Sequence, residues 1–244
     1  MSVALSIKNI TKRYGDFTAV DGVSFDVEEG ELVTVLGLNG AGKTTLVKTL
    51  CTLLSPSGGD ALVLGKSLVK EKSAVKELIA VSPQETAVAP NLTVEENLTL
   101  TAQMFGCTKA ESVRRAKEQC KRFSLGEVWK KRAGKLSGGY QRRLSIAMAL
   151  VCQPKILFLD EPTLGVDVLS RRELWREVEL LKGKMTVVMT THYMEEAESL
   201  SEKLAVMDKG KLLFFGGVEE LKNLTGKPNV EEAFVSIVQK EVER

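Results

Sequence analysis

The stretch LVTVLGLNGAGKTT at residues 32–45 constrains the fold of this chain more than any other part of its sequence. It contains an apolar run, then three glycines within six residues, and it ends on Lys-Thr-Thr. Apolar runs of four to six residues without alternation are typical of strands that are covered on both faces. Similar runs are IAVS (79–82), ILFLD (156–160), TVVMTT (186–191) and LAVMD (204–208). The sequence therefore predicts an α/β fold with a mostly parallel sheet flanked by helices.

Other patterns divide the rest of the chain. The first 30 residues contain the turn signals YGD, VDG and EEG, which predict antiparallel strands. From about residue 86 to residue 153 helix patterns dominate, so we expect an α-helical insertion there. We expect one domain over residues 1–215 and a helical tail over residues 216–244. Capping-box spacings predict four helix starts: Thr93 with Glu96, Thr108 with Glu111, Ser170 with Glu173 and, in a near match, Asn229 with Glu232.

Two of the predicted helices have an apolar stripe that should pack on the core. After Ser170, the stripe consists of Leu174, Val178 and Leu181. In the tail helix that begins at Asn229, it consists of Val230, Phe234, Ile237 and Val238.

Composition argues against several classes of function. Lys and Arg number 34 against 32 Asp and Glu, so a net charge of +2 provides no global field to attract nucleic acid or an anionic membrane. Four separated cysteines and one histidine favour neither a zinc site nor a disulfide framework. No apolar run approaches 18 residues, so we expect a soluble, cytoplasmic chain whose membrane role, if any, needs a partner. The basic excess of residues 107–135 is interpreted as a solvated helix face, with lipid headgroups or nucleic acid as alternatives.

Residues 37–44 match G-x-x-x-x-G-K-[ST], the pattern of a phosphate-binding loop between a strand and a helix. Glycines let backbone N–H groups surround a phosphate, and the helix dipole favours its negative charge. The ammonium of Lys43 would reach the β- and γ-oxygens, and the hydroxyl of Thr44 can bind Mg²⁺. The motif predicts that a nucleoside triphosphate is bound by Gly37, Leu38, Asn39, Gly40, Ala41, Gly42, Lys43 and Thr44.

The strand ILFLD ends on Asp160, and Glu161 follows it directly. Ligands of open α/β sheets bind at the carboxyl ends of the strands. Asp160 is therefore predicted to hold Mg²⁺ through water, and Glu161 to act as general base on the attacking water. A helix cap is the alternative interpretation of these acids.

Three further residues are weaker candidates. Gln84 follows the strand IAVS and could reach Mg²⁺ or water, although a loop glutamine is usually only solvated. His192 ends the strand TVVMTT, where it could contact a γ-phosphate or be a structural residue. Tyr14 could stack on adenine or pack locally.

A second glycine pair occurs in LSGGYQRRLSIAMALV at residues 136–151. Ser137, Gly138 and Gly139 precede a predicted helix whose apolar face contains Leu144, Met148 and Val151. Exposed N–H groups at a helix N-terminus form an anion site, but this one lacks a lysine. It is predicted to assist phosphate binding and not to bind phosphate alone.

In chain order, these motifs resemble the nucleotide-binding domain of ABC transporters over nearly the whole chain. LSGGYQ resembles that family's signature segment, and GLNGAGKT resembles its phosphate loop. The resemblance implies a RecA-like P-loop NTPase fold that binds ATP and Mg²⁺. It also implies that two such domains dock head to tail, so that each ATP is completed by the partner's signature segment.

The family's roles carry over to matching positions of this sequence. The catalytic residues would be Glu161, His192 and Lys43, and Tyr14 would stack on adenine. Thr44, Gln84 and Asp160 would bind Mg²⁺. The phosphates would be held by residues 37–45, including Thr45, and across the dimer interface by Ser137, Gly138, Gly139 and Asp167. The sequence departs from the common family pattern at TLGVD (163–167) and at Tyr140, which affects the expected interface contacts.

The segments EPTLGVDVLSRRELW, THYMEEAE and GKPNVEEAF resemble ATPase subunits of drug-resistance and other exporters. The resemblance implies an integral membrane subunit as partner, a peripheral position on the cytoplasmic face of the membrane, and no nucleic-acid partner. The alternatives are a soluble ABC ATPase that acts on nucleic acid or ribosomes, and a scaffold for cofactor or protein assembly. Cargo contacts would belong to the membrane subunit, so the sequence names no cargo.

Overall fold

The computed structural model describes residues 2–242 of the chain, with side chains through residue 240. Within this range the strands are β1 (Val3–Tyr14), β2 (Phe17–Glu28), β3 (Leu32–Leu36), β4 (Gly58–Val63), β5 (Lys66–Ser67), β6 (Ile79–Ser82), β7 (Ile156–Asp160), β8 (Thr186–Thr191), β9 (Lys203–Asp208) and β10 (Lys211–Gly217). The helices are α1 (Lys43–Leu50), α2 (Lys72–Leu78), α3 (Val94–Met104), α4 (Lys109–Arg122), α5 (Gly138–Val151), α6 (Val168–Glu179), α7 (Met194–Leu200), α8 (Val218–Thr225) and α9 (Val230–Val242).

The central sheet has the strand order β10-β9-β3-β8-β7-β6. The five predicted apolar runs form its parallel strands, and β10 is an antiparallel edge strand. Side chains alternate between two cores because successive residues of a strand point to opposite faces. In β7, Phe158 faces a core that contains α1 and the N-terminal sheet, whereas Leu157 and Leu159 face a core built with α3 to α6. The predicted α/β fold with a mostly parallel sheet is therefore confirmed.

The predicted antiparallel strands are also confirmed. They belong to a four-stranded sheet with the order β2-β1-β4-β5. The sequence analysis found neither β4 and β5 nor the edge strand β10. Strand β4 begins with two glycines and β5 has only two residues, whereas the apolar residues LLFF of β10 were overlooked. The N-terminal sheet approaches the phosphate loop through β2, since a Cβ atom at Gly42 would lie 2.4 Å from the carbonyl oxygen of Ala19.

Residues 86–153 contain α3, α4 and α5, together with 3₁₀ turns at Gly126–Val128 and Ala133–Lys135. The predicted helix start at Thr93 is confirmed, because its hydroxyl and the Glu96 carboxylate cap each other's backbone N–H groups. Thr108 caps α4 as expected. Asn229 likewise accepts from the backbone N–H of Glu232 at 2.8 Å.

The predicted start at Ser170 is wrong. Helix α6 begins at Val168, with Asp167 as its N-cap residue. The Asp167 Oδ1 atom accepts from the N–H groups of Leu169 and Ser170 at 3.1 and 3.0 Å. A carboxylate three residues earlier thus takes the capping position, and Ser170 lies within the first turn.

The C-terminal helices pack as expected. Val230 and Phe234 of α9 are buried, and Ile237 and Val238 pack against the same core. Residues 243 and 244 lie outside the described residues, and the division into residues 1–215 and 216–244 stays a prediction. In the part of the chain that the structure describes, no helix is long and apolar enough to cross a bilayer.

Candidate functional site

The loop between β3 and α1 has a backbone that requires glycine. Gly40 and Gly42 have φ angles of 83° and 99°, in the left-handed region. A Cβ atom at Gly37 would lie 2.5 Å from the carbonyl oxygen of Met207, so this position is also closed to a side chain. No described side chain caps the N-terminus of α1, and its first N–H groups are therefore suited to an anion.

Lys43 lies inside this loop and is only 4% exposed. Its Nζ atom donates to the carbonyl oxygens of Gly37 and Leu38 at 2.8 and 3.1 Å. It also lies 3.4 Å from Oε1 of Glu161. The loop and the end of β7, 118 residues apart in sequence (161 − 43 = 118), are thus joined by a buried ion pair.

Asp160 forms a compact oxygen cluster at the end of β7. Its Oδ1 atom accepts hydrogen bonds from the hydroxyls of Thr44 at 3.1 Å and Thr190 at 2.7 Å. Mg²⁺ prefers oxygen ligands, and one or two protein ligands suffice when phosphates and waters complete the octahedron. The Asp160 carboxylate and the Thr44 hydroxyl therefore fit Mg²⁺. Thr190 was missed by the sequence analysis, because a threonine in a buried strand has no distinguishing pattern.

Glu161 has a left-handed backbone, with a φ of 45°, which turns the chain sharply at the end of β7. Its N–H donates to the hydroxyl of Thr190 at 2.9 Å. Its Oε2 atom lies 3.1 Å from Nδ1 of His192. The structure thus brings together Glu161, His192 and Lys43. Glu161 and His192 directly follow β7 and β8, and Lys43 begins α1 after the loop from β3, which neighbours β8.

Arg142 is a functional candidate that sequence reasoning missed. This α5 residue is 3% exposed, and its guanidinium donates to the carbonyl oxygens of Asp160 at 2.8 Å and of Pro162 at 2.7 Å. The same group contacts the carbonyl oxygens of Pro83 and Gln84. Burial lowers the pKa of Arg142 to about 10, with nearby Asp160, Glu196 and Glu161 opposing the shift. The available signal was an arginine shortly before the apolar run that begins at Leu144 and that only Ser145 interrupts.

Gln84 follows β6, which neighbours β7 in the sheet. Arg142 links its backbone carbonyl to that of Asp160. The Gln84 residue itself is exposed. The backbone at Gln84 is thus tied to the candidate Mg²⁺ site, and the exposed residue has no hydrogen bond from its side chain among the described residues.

The glycine pair lies in the first turn of α5, with Ser137 as its N-cap residue, and not before the helix as predicted. A Cβ atom at Gly138 would meet nothing within 4 Å. A Cβ atom at Gly139 would lie 2.9 Å from Oγ of Ser170 and 3.9 Å from Oδ2 of Asp167. Residues 137–139 and Asp167 therefore form one continuous surface, with Gly138 as its open position.

Tyr140, which departs from the common family pattern, has a local role. The Arg143 guanidinium lies 4.4 Å from the centre of its ring. Arg143 also pairs with Glu173 of α6 at 3.1 Å. The pair connects the start of α5 to α6, so the aromatic ring and the interhelical ion pair support the same surface.

Tyr14 lies at the end of β1 and pairs with Phe17 across the hairpin turn. It is 47% exposed, and the Lys12 Nζ atom lies 5.2 Å from the centre of its ring. Ala19, on the returning strand, is the residue that approaches Gly42. Tyr14 is thus an exposed aromatic residue on the hairpin beside the phosphate loop.

Comparisons with known proteins agree with this geometry. A family model described as "ABC transporter" matches residues 20–164. The chain belongs to the ABC transporter family. It is 39% identical to a doxorubicin resistance ATP-binding protein of Mycobacterium tuberculosis over 98% of this chain and 72% of that protein.

Solved structures support the same assignment. An ATP-binding subunit of an ABC transporter superimposes with a TM-score of 0.87 at 26% identity, covering 96% of this chain and 99% of that one. A dimeric post-hydrolysis ATP-binding cassette with ADP and Pi gives a TM-score of 0.79 at 25% identity, covering 87% and 98%. The predicted family and P-loop NTPase fold are confirmed, and the chain is an ATP-binding and ATP-hydrolysing ABC domain.

The contacts of Arg142 predict a specific effect on stability. Arg142→Lys keeps the charge but removes the planar guanidinium that bridges carbonyls on two segments. We expect the free energy of unfolding to fall by about 2–3 kcal/mol, the typical value of hydrogen bonds to a charged group. The measurement is urea denaturation followed by tryptophan fluorescence.

The matched control is Arg172→Lys on exposed α6, which should change the free energy of unfolding by no more than about 0.5 kcal/mol. Equal effects of the two substitutions would contradict the bridging role of Arg142.

Proposed function

We propose that this chain is the ATPase subunit of an exporter and drives transport through a separate integral membrane subunit. Glu161 carries the hydrolytic part of the proposal: its carboxylate is 7% exposed and lies within 3.4 Å of Lys43 and 3.1 Å of His192. The family relationship and the drug-resistance name of the relative support the transport role. In this arrangement residues 37–45 hold the triphosphate, and Tyr14 stacks on adenine.

Glu161 acts as general base in the proposed hydrolysis. Its carboxylate accepts a proton from water as the water oxygen bonds to the γ-phosphorus, and the bond between that phosphorus and the β,γ-bridging oxygen breaks. His192 orients Glu161 and contacts the γ-phosphate. Thr44, Gln84 and Asp160 would hold Mg²⁺, which supplies positive charge to the β- and γ-phosphate oxygens. Lys43 leaves its pairing with Glu161 to bind those oxygens.

Replacing the general base gives a direct test. Glu161→Gln keeps the shape of the side chain but accepts no proton, so ATP turnover should fall by about 10²–10⁴-fold. The affinity for ATP should change by less than about threefold, because the substitution leaves residues 37–45 intact. A coupled phosphate-release assay and nucleotide titration measure the two quantities. Unchanged turnover would remove Glu161 from this role.

The surface of Ser137, Gly138, Gly139 and Asp167 is proposed to bind the ATP of a second copy or a related chain. This helix N-terminus offers N–H groups and a favourable dipole but no lysine, so it suits a phosphate that another loop already holds. The openness at Gly138 leaves room for that phosphate. The dimeric post-hydrolysis cassette among the similar structures supports such pairing.

A mixed-dimer experiment tests this composite site. Lys43→Ala removes phosphate binding in its own chain, and Gly138→Asp adds a carboxylate to the open position without an intrachain clash. Each variant alone should be inactive. An equal mixture should regain about a quarter of wild-type turnover, because half of the dimers are mixed and each mixed dimer has one intact site.

The control is one chain that carries both substitutions, mixed with wild type in the same ratio. Its mixed dimers have no intact composite site, so turnover should equal the roughly one quarter that the wild-type dimers supply, whereas a site built within one chain would give about half. No recovery in the first mixture would reject the trans arrangement for a homodimer.

A groove of about 430 Å³ is the proposed docking site of the membrane subunit. It extends from the segment after β6, next to Gln84, to α3 and α5. Phe105 and Leu53 on its rim are 57% and 59% exposed. Its lining is mostly apolar and includes Leu53, Ala87, Thr101, Phe105, Met148 and Cys152. A short amphipathic helix of the membrane subunit fits such a groove, which would place the chain on the cytoplasmic face of the membrane.

Co-purification from native membranes tests the docking site. Tagged Glu161→Gln protein with Mg-ATP in detergent should capture a protein with several membrane spans. Adding Phe105→Glu should reduce its recovery by about tenfold or more, because an unpaired carboxylate would be buried in the interface.

Leu224→Glu, at an exposed position of α8 away from the groove, is the control and should leave recovery unchanged. Capture of only soluble proteins or ribosomes would contradict the exporter role and favour the alternative soluble functions.

A further inference from the structure

A buried carboxylate lies behind the candidate catalytic residues and has no part in the proposed hydrolysis. Glu196, in α7, is fully buried, although its predecessor Glu195 is exposed. Its Oε1 atom accepts from the hydroxyl of Thr163 at 3.0 Å and from the indole Nε1 of Trp175 at 2.9 Å. Burying a carboxylate costs free energy unless hydrogen bonds satisfy its oxygens. We therefore infer that Glu196 does more than fill space.

Two side chains from different parts of the site, Thr163 and Trp175, donate to Oε1 of Glu196, while its Oε2 atom is buried without a hydrogen-bond partner in the described part of the chain. Burial raises the pKa of Glu196, and the side chains of Thr191, Trp175 and Thr163 oppose that shift. Thr191 ends β8 directly before His192, and Thr163 follows Glu161 by two residues. Trp175 belongs to α6, which begins next to Asp167. One carboxyl group therefore joins the histidine strand, the segment after β7 and the helix that supports the second surface.

A second connection runs parallel to the first. The Arg171 guanidinium of α6 lies 4.7 Å from the centre of the Tyr193 ring. Its positive charge is also among the smaller influences that oppose the burial-raised pKa of Glu196. The centres of the Tyr193 and His192 rings are in turn 4.2 Å apart. A shift of α6 would therefore act on His192 through an aromatic contact as well as through Glu196.

We propose that Glu196 is a positioning residue for ATP hydrolysis, which holds His192 and Glu161 in register with residues 163–175. This inference rests on the proposed function, because it requires Glu161 and His192 to act on the γ-phosphate. Glu196 contacts neither nucleotide nor water itself. Contact of a second ATPase domain with the exposed Asp167, the N-cap residue of α6, moves α6, and Glu196 passes that displacement to the catalytic pair.

The test removes the hydrogen-bond donors of Thr163 and Trp175 and leaves the carboxylate of Glu196 in place. Thr163→Val preserves the size of the side chain, Trp175→Phe keeps an aromatic ring although a smaller one, and each deletes one hydrogen bond to Glu196. We expect each to lower the kcat of ATP hydrolysis by about three- to tenfold, with KM and the Kd for ATP changed by less than about twofold. A purely structural role would lower kcat only in proportion to the folded fraction, which thermal melting measures for each variant.

Two variants of Glu196 complete the experiment. Glu196→Gln retains an acceptor oxygen for Thr163 and Trp175, so it should keep at least about half of the wild-type kcat. In a Glu196→Leu background, the further addition of Trp175→Phe should lower kcat by less than about 1.5-fold, since the two residues act through one contact. The exposed Glu195→Gln is the matched control and should behave as wild type.

The outcomes separate this inference from the proposed function. If Glu161→Gln abolishes turnover while Thr163→Val and Trp175→Phe leave kcat unchanged, Glu196 is not a positioning residue and the hydrolytic role of Glu161 stands. A rise in KM as large as the expected fall in kcat would also reject the inference, because it would indicate that nucleotide binding was lost. Normal turnover in Glu161→Gln would overturn the catalytic assignment and the inference with it.

Discussion

The buried ion pair between Lys43 and Glu161 is the constraint on which the rest of the site depends. Neither residue is more than 7% exposed, and removing one partner of such a pair costs about 3–5 kcal/mol because a charge is left buried. The pair joins the start of α1 to the residue after β7. The parallel sheet brings the two together because the carboxyl ends of its strands lie on the same side. Hydrogen bonds from Lys43 to loop carbonyls and from Thr190 to Asp160 satisfy the remaining polar groups. A phosphate can therefore compete for Lys43 without leaving Glu161 unpartnered, since His192 remains beside it.

Arg142 holds the backbone after β6 and the backbone at the end of β7 together. An apolar side chain at that position would fill α5 equally well but would leave the carbonyls of Asp160 and Pro162 without this donor. The guanidinium also binds the backbone at Pro83 and Gln84, at the start of the segment that borders the groove. The guanidinium thus connects the backbone segment that borders the groove with the backbone of Asp160.

The sequence predicted those parts of the fold that depend on local chemistry. The apolar runs predicted the parallel strands, and the Gly-rich loop predicted a strand-to-helix turn, because few conformations suit such residues. It did not predict β4, which begins with two glycines, or β5, which has only two residues, and it overlooked the apolar residues LLFF of β10. Ser170 was wrongly chosen as a helix start because spacing alone does not show that Asp167 reaches the same N–H groups first. Arg142, Thr190 and Glu196 were missed for a similar reason, since a buried polar residue becomes informative only when its partners are known.

The two glycine-rich helix starts differ in what surrounds them, and that difference explains why one chain contains both. The first start contains Lys43 and is closed by neighbouring backbone, as the close approach of Ala19 to Gly42 demonstrates. The second has no lysine, is open at Gly138, and packs at Gly139 against the helix that begins beside Asp167. Trp175 of that same helix donates to Glu196. In the proposed dimer, a phosphate at the second start would therefore lie beside the helix that Glu196 connects to His192 and Glu161.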